Sequence, residues 1–360
     1  MEEYIKIKVD VLQEFTVNVF NKLGVPAEDA KIAADVLITA DRRGVGSHGL
    51  QRLRRYTNGL KRGVIKPIAN IKVLKETPNT LLISGGDGLG QVVGYNAMKL
   101  VIDKALKNNI AFAVVHSSNH YGIAGYYSMM ALEHDLIGLS LTNAAPLVVP
   151  TNGKNAVMGT NPISIAVPAG KERPFVLDMA TSTVPRGKLE VYEREGKMMP
   201  ITWAIDELGN PTQDIPKVLT NIIDKRGGGL LPLGGAEEES GGHKGYGLCL
   251  AVDIFSGVLS GSVFGPNLYA REDMPAKVSH LFGAIKIAAF IEPALFKNMM
   301  DGYINILKNS EKAAGKDRIF IHGEKEFELY EQQKEEVRIY YKVVEELRNI
   351  GEEVNIKAPF

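Results

Sequence analysis

Between residues 79 and 143 the chain alternates short strand-like runs with longer helical ones. NTLLISG (79–85), AFAVVHS (111–117) and LIGLSLTN (136–143) have strand length and composition. VVGYNAMKLVIDKALKNN (92–109) and YGIAGYYSMMALEHD (121–135) read as helices between them. This βαβαβ alternation restricts the fold to an α/β class, with helices packed on a sheet. ISIAVP (163–168) and FVLDMAT (175–181) add strands, and HLFGAIKIAAF (280–290) predicts a late one.

The flanks have a different texture. Leu12, Phe15, Val19 and Leu23 recur at helical steps and stop at Gly24; Ile32, Val36 and Ala40 do the same and stop at Gly44. Ser47 is placed to cap a third helix, on which His48, Arg52 and Tyr56, four apart, share one face. The first 65 residues therefore read as helical, and so does the Glu/Lys-rich tail from about residue 325. Residues 193–229 are rich in Gly, Pro and charge and read as long loops. A glycine-rich block running to GGHKGYG (241–247) reads as a loop leading into the helix that holds Cys249.

Composition narrows the function classes. Lys plus Arg and Asp plus Glu balance at 42 each, which argues against a nucleic-acid or polyanion binder. The single cysteine, Cys249, can form neither an internal disulfide nor a thiolate cluster, and fits a reducing compartment. MEEYIKIKVD has no apolar leader core, and the most apolar stretch, Gly245–Gly261, carries Asp253 and is short for a membrane span. A cytoplasmic protein with no membrane partner is expected. HExxH, paired cysteines, an acidic calcium loop, GxSxG and a P-loop are all missing, so no metal site is expected.

GGDGLGQVVG (85–94) follows a strand and opens a helix, where a dinucleotide fingerprint belongs, but its spacing fails. Gly86 and Gly88 require a third glycine where Gln91 stands; Gly88 and Gly90 require one where Val93 stands. Chemistry is better placed elsewhere. In GVGSHGLQRLRRY (44–56), His48 can trade a proton near neutral pH. Arg52 can grip a carboxylate with two parallel hydrogen bonds, and Tyr56 adds a hydroxyl. In HSSNHYGIAGYY (116–127), His120 and Asn119 sit where a strand gives way to a helix, a usual place for active-site groups. Asp178 ends an apolar strand, where a carboxylate can orient a histidine, bind a ribose hydroxyl or cap a helix. Lys244, between glycines, reads equally as a phosphate ligand or a solvated loop residue.

Eight blocks, SHGLQR, GGDGLGQVVG, SNHYGIAGYY, GTNPISIAVP, LDMATS, LLPLGG, GHKGYGL and HGEKE, fall in the order and spacing of the second type of malate/L-lactate dehydrogenases. The chain resembles that family over nearly its whole length. The family also includes sulfolactate, ureidoglycolate and diketogulonate oxidoreductases and some cyclic imine reductases. The resemblance implies an α/β fold with a non-Rossmann mixed-sheet cofactor domain and a helical domain formed by both chain ends. Here that division is 1–75 joined by 325–360, with 76–324 binding cofactor and substrate.

It also implies a homodimer, or a multiple of dimers, and NAD- or NADP-dependent hydride transfer on a small 2-hydroxy or 2-oxo acid. Malate/oxaloacetate is the first expectation. Lactate, sulfolactate, a cyclic imine, or a non-catalytic nucleotide-binding role are the alternatives. By resemblance His120 and His48 carry the proton chemistry, and Arg52, with Ser47 and Tyr56 beside it, holds the substrate. Asp178, Met179 and Ala180, then His243 and Lys244, then Gly323, Glu324 and Lys325 meet the cofactor, with Asp178 also assisting catalysis. The acidic segment AEEESGG (236–242) departs from shorter relatives and leaves the contact of the His243–Lys244 loop with cofactor open.

Overall fold

The computed structural model describes residues 3–360. The first element among the described residues is a strand, not a helix: β1 (Tyr4–Lys8), in which Ile5 and Ile7 alternate with lysines. Helices α1 (Val9–Lys22), α2 (Ala27–Arg42) and α3 (Leu53–Lys61) follow, the first two burying the apolar stripes read from the sequence. The central part runs β2 (Lys72–Glu76), β3 (Thr80–Ser84), α4 (Gly90–Asn108), β4 (Ile110–Ser118), α5 (Ala124–Met130), β5 (Leu136–Thr142), β6 (Ile163–Val167) and β7 (Phe175–Met179). The helix expected over 121–135 is shorter, because its last turn, Ala131–His134, winds as a 3₁₀ helix and ends at Asp135 in the left-handed region.

Residues 193–229 are less loop-like than their composition predicts. They hold the end of α6 (Arg186–Arg194), β8 (Ala204–Ile205), α7 (Ile215–Asp224) and β9 (Gly229–Leu230). Asp214 caps α7 by accepting the Lys217 amide at 3.1 Å, and a proline stands in its first turn. α8 (Gly242–Asp253) already begins inside the block read as a glycine loop, and a π-helical turn, Ile254–Val258, continues it. β10 (Val278–Lys286) and α9 (Pro293–Asn309) follow, then α10 (Glu324–Gln332), β11 (Glu336–Tyr340) and α11 (Tyr341–Glu353). The tail is thus interrupted by a strand. β11 pairs antiparallel with β1, burying Val337 and Ile339 with Ile7. Period-two alternation in both segments makes this pair and ties the two ends of the chain together.

The seven-stranded sheet has the order β2-β3-β4-β10-β5-β6-β7. Only β3 and β4 pair in parallel; the other neighbours are antiparallel. β10 enters the middle of the sheet from far along the chain. This mixed sheet differs from the parallel sheet of a dinucleotide fold. One core joins Leu12, Phe15 and Leu37 to Leu89, which precedes α4, to Val92 of α4, and to Val337, Leu347 and Ile350. A second packs Val101, Val115 and Tyr127 around Phe282 of the central strand.

The glycine turn before α4 is filled by protein. The Asn119 side-chain amide donates to the carbonyls of Asp87 (3.0 Å) and Gly88 (2.8 Å). A Cβ on Gly90 would lie 2.2 Å from the Asn119 carbonyl oxygen. These glycines let α4 start directly against the segment that carries His120.

Candidate active site

The site is assembled where α2 ends. Asp41, in its last turn, accepts the Leu50 amide at 2.7 Å, and a Cβ on Gly49 would lie 2.2 Å from the same carboxylate. That contact breaks the expected single helix into two 3₁₀ turns, Gly46–His48 and Leu50–Arg52, ahead of α3. Ser47 therefore caps nothing. Its hydroxyl pairs with His48 Nδ1 at 3.0 Å, and its carbonyl accepts Arg52 Nε at 2.7 Å.

His48, Arg52 and Tyr56 still converge, and β4 delivers His120 to them. The His48 and His120 rings stack with centroids 5.5 Å apart and planes 19° from parallel. The Tyr56 hydroxyl lies 2.6 Å from His120 Nδ1, which leaves Nε2 of His120 without a partner among the described residues. His48 is pushed down to about 4, first by burial and then by Arg52 and Arg55. His120 is held well below the ordinary histidine value by burial, Arg55, His48 and Arg52 in turn. Burial holds the Tyr56 phenol protonated, its pKa raised far above the usual value. At neutral pH the site thus holds two uncharged, adjacent imidazoles beside two guanidinium groups.

His48 also lines a cleft of about 490 Å³, bounded by Ser47, the segment 122–125 that leads into α5, the end of β7 and the start of α10. His120, Arg52 and Tyr56 stand outside its lining, with His48 between it and His120. Asp178, Met179 and Ala180 form one wall. The Asp178 carboxylate accepts the Gly125 amide at 2.7 Å. Surrounding protein raises its pKa to about 6, an effect opposed by Gly125 and Arg43 and reinforced by Glu326, although the residue is exposed where it lines the cleft. Gly323 and Lys325 also line the cleft, with Gly323 at φ +90° ahead of α10 and packed against Val176 of β7.

Three expected cofactor residues lie elsewhere. Glu324 turns away, buried against Lys308 and Arg318 at 2.8 Å each. His243 and Lys244 are exposed in the first turn of α8 and do not line the cleft. The sequence reading also missed Arg43 and Glu326, both on the cleft wall. A signal for Arg43 existed: it continues the buried stripe of Val36 and Ala40 at helical spacing, so its burial was implied.

The family model described as malate/L-lactate dehydrogenase matches residues 7–348. Malate dehydrogenase of Pyrococcus abyssi is 50% identical over 99% of this chain and 97% of its own. Malate/(S)-sulfolactate dehydrogenase of Methanothermus fervidus is 39% identical over 95% and 96%. Among solved structures, malate dehydrogenase of Pyrococcus horikoshii superposes with a TM-score of 0.90 at 47% identity, covering 99% of this chain and 97% of that one.

Proposed function

The chain belongs to the malate/L-lactate dehydrogenase family, and on that premise we propose that it interconverts a small 2-hydroxy acid and its 2-oxo acid, malate and oxaloacetate first, using NAD or NADP. The observation that carries this reading is the stacked, uncharged His48–His120 pair beside Arg52 at the edge of the cleft. A nicotinamide dinucleotide bound in the cleft would supply or take up the hydride. Its volume, of about 490 Å³, falls within the range of small-molecule and cofactor sites. The Asp178 carboxylate suits ribose hydroxyls, and Gly323 and Lys325 line the part of the cleft where α10 begins.

The residues of the chain divide the remaining work. Arg52, with its Nε fixed on the Ser47 carbonyl, presents its outer nitrogens to the substrate carboxylate. A second acidic group, as in oxaloacetate or sulfopyruvate, would meet Arg55, whose charge also reaches both imidazoles. His120 takes the hydroxyl proton on Nε2 during oxidation and returns it during reduction, in the tautomer whose Nδ1–H donates to the Tyr56 oxygen. His48 orients the substrate from the cleft side. A bound carboxylate offsets the guanidinium charges, so substrate binding itself raises the basicity of the pair.

A homodimer is proposed on the exposed apolar face that follows α8, where Phe255 and Leu259 are 49% and 59% exposed. Residues 1–75 with 325–360 are proposed as one largely helical domain, closed by the β1–β11 pair and lending His48 and Arg52 to the site, and 76–324 as the domain holding cofactor and the rest of the substrate site, with the boundary falling at the end of β2. No helix among the described residues is long and apolar enough to cross a membrane. The lone buried thiol of Cys249 fits a reducing cytoplasm.

The test is oxidation of NADH and NADPH with oxaloacetate, sulfopyruvate, pyruvate and a cyclic imine in parallel. Turnover with oxaloacetate is expected. Turnover with the imine alone moves the activity to C=N reduction, and no turnover with any substrate refutes the oxidoreductase assignment for these substrate classes.

A further inference from the structure

Two consecutive arginines end α2, and they have opposite fates. Arg42 is fully engaged by structure: it donates to the Gln333 carbonyl (3.0 Å), the Tyr330 hydroxyl (2.9 Å) and the Tyr330 carbonyl (3.5 Å), at the C-terminal end of α10. A cation there is favoured by the helix dipole. Arg43 is 6% exposed, yet among the described residues it makes no hydrogen bond through its side chain and no ion pair. Its guanidinium lies over the Phe327 ring, 4.5 Å from the centroid, and lines the cleft. The carboxylates of Glu326 and Asp178 are near enough for their charge to be felt, but neither pairs with it.

No protein acceptor among the described residues pairs with this cation, and its nitrogens meet solvent as part of the cleft lining. A cation so largely removed from water is held there at a cost unless an anion meets it. Arg43 also stands by the first turn of α10, whose positive end repels it. That turn has unpaired amides: Gly323 gives no side-chain cap, and the amides of Lys325 and Glu326 find no acceptor among the described residues. The Lys325 side chain lines the same cleft. Arg43, Lys325 and the helix N-terminus thus border one cleft, with the Lys325 ammonium over the Phe320 ring, and an anion bound by Arg43 and the free amides would satisfy both.

We propose that Arg43 grips the phosphate groups of the dinucleotide, acting with the free amides at the start of α10. The inference rests on the reading above that this cleft takes NAD or NADP. Stacking on Phe327 fixes the guanidinium plane in advance, so little freedom is lost when the phosphates arrive.

The test uses the full chain with Arg43→Met and Arg43→Lys, and the probes are NADH and ADP-ribose, the second of which carries both phosphates but no nicotinamide. Binding is followed by calorimetry and stability by thermal melting. Arg43→Met should weaken both probes by roughly ten- to hundredfold. Its ligand-free Tm should stay level or rise, because an unpaired buried charge has been removed; a purely structural arginine would lower it. Arg43→Lys, which keeps the charge and loses the fork, should fall between Met and wild type. Affinity for ADP-ribose within about threefold of wild type in both variants overturns the proposal. So does a lowered ligand-free Tm with the ligand-induced shift intact. If Arg43→Met does not fold, that result also counts against the proposal, and Arg43→Lys still reports on the phosphate contact. Wild-type protein that binds none of NADH, NADPH and ADP-ribose overturns the cofactor reading together with this one.

Discussion

At the scale of single residues, the site is defined by charge pressing on neutral groups. Arg52 and Arg55 both push the His48 and His120 imidazoles toward the uncharged form, after burial has done most of it. Arg55 is itself exposed, with its guanidinium 5.0 Å from the Tyr269 ring centroid, so replacing it leaves the core untouched. Removing a cation makes protonation of the imidazoles easier, so their pKa values must rise in Arg55→Gln. In the oxidation direction a neutral base is needed, and activity is lost as pH falls through its pKa. The acid limb of the kcat/KM profile should therefore move to higher pH in Arg55→Gln, starting from a wild-type limb set by His120, which burial and then Arg55 hold well below the ordinary histidine range. An acid limb that stays in place, or moves down, would show that these imidazoles do not govern the proton step.

At the scale of elements, the turn between α2 and α3 decides where His48 points. Its shape depends on one carboxylate. Asp41 holds the Leu50 amide, and Gly49 passes so close that a methyl group has no room. Gly49→Ala should push Asp41 off that amide and leave a buried donor unsatisfied, at a cost of about 1–3 kcal/mol. The variant should melt lower, and its kcat should fall more than its NADH affinity, because His48 moves while the α10 side of the cleft does not. Melting curves and cofactor titration check this together; wild-type kcat in a folded Gly49→Ala would separate the turn from the chemistry. The same turn shows how far the sequence could be read. Spacing alone brought His48, Arg52 and Tyr56 together and was right about the cluster, but wrong about the single helix. Ser47 looks like a cap by type, and only the position of Asp41 in space shows that the capping site is taken by a turn. The strands of the central alternation were legible because their periodicity is local. The insertion of β10 between β4 and β5 was not, since pairing partners separated by more than a hundred residues leave no local pattern. β1 and β11 did carry a period-two pattern, but each is only five residues long and adjoins a strongly helical stretch.

At the scale of the whole molecule, one surface carries a continuous row of exposed apolar side chains. Leu250, Ile254, Phe255, Val258 and Leu259 are all substantially exposed along the end of α8 and its π-helical turn. The wider turn is one of the few helical distortions that recur at functional places. Burying such a patch stabilises by roughly 25 cal/mol for each Å² of apolar surface removed from water, which makes a second copy of the chain the natural cover. Phe255→Glu with Leu259→Glu puts two charges on that face without touching the core. Light scattering coupled to gel filtration should then report the mass of one chain, 39.3 kDa, where the unaltered protein reports twice that. A single-chain mass in the unaltered protein, or an unchanged dimer in the variant, removes this face as the contact. The same preparation also tests where His243 and Lys244 act. They begin α8, are exposed, and do not line the cleft of their own chain. If they reach cofactor across the subunit contact, the monomeric variant binds NADH more weakly. If NADH affinity is unchanged in the monomer, each cleft is complete within one chain, and the two residues have no part in holding the cofactor.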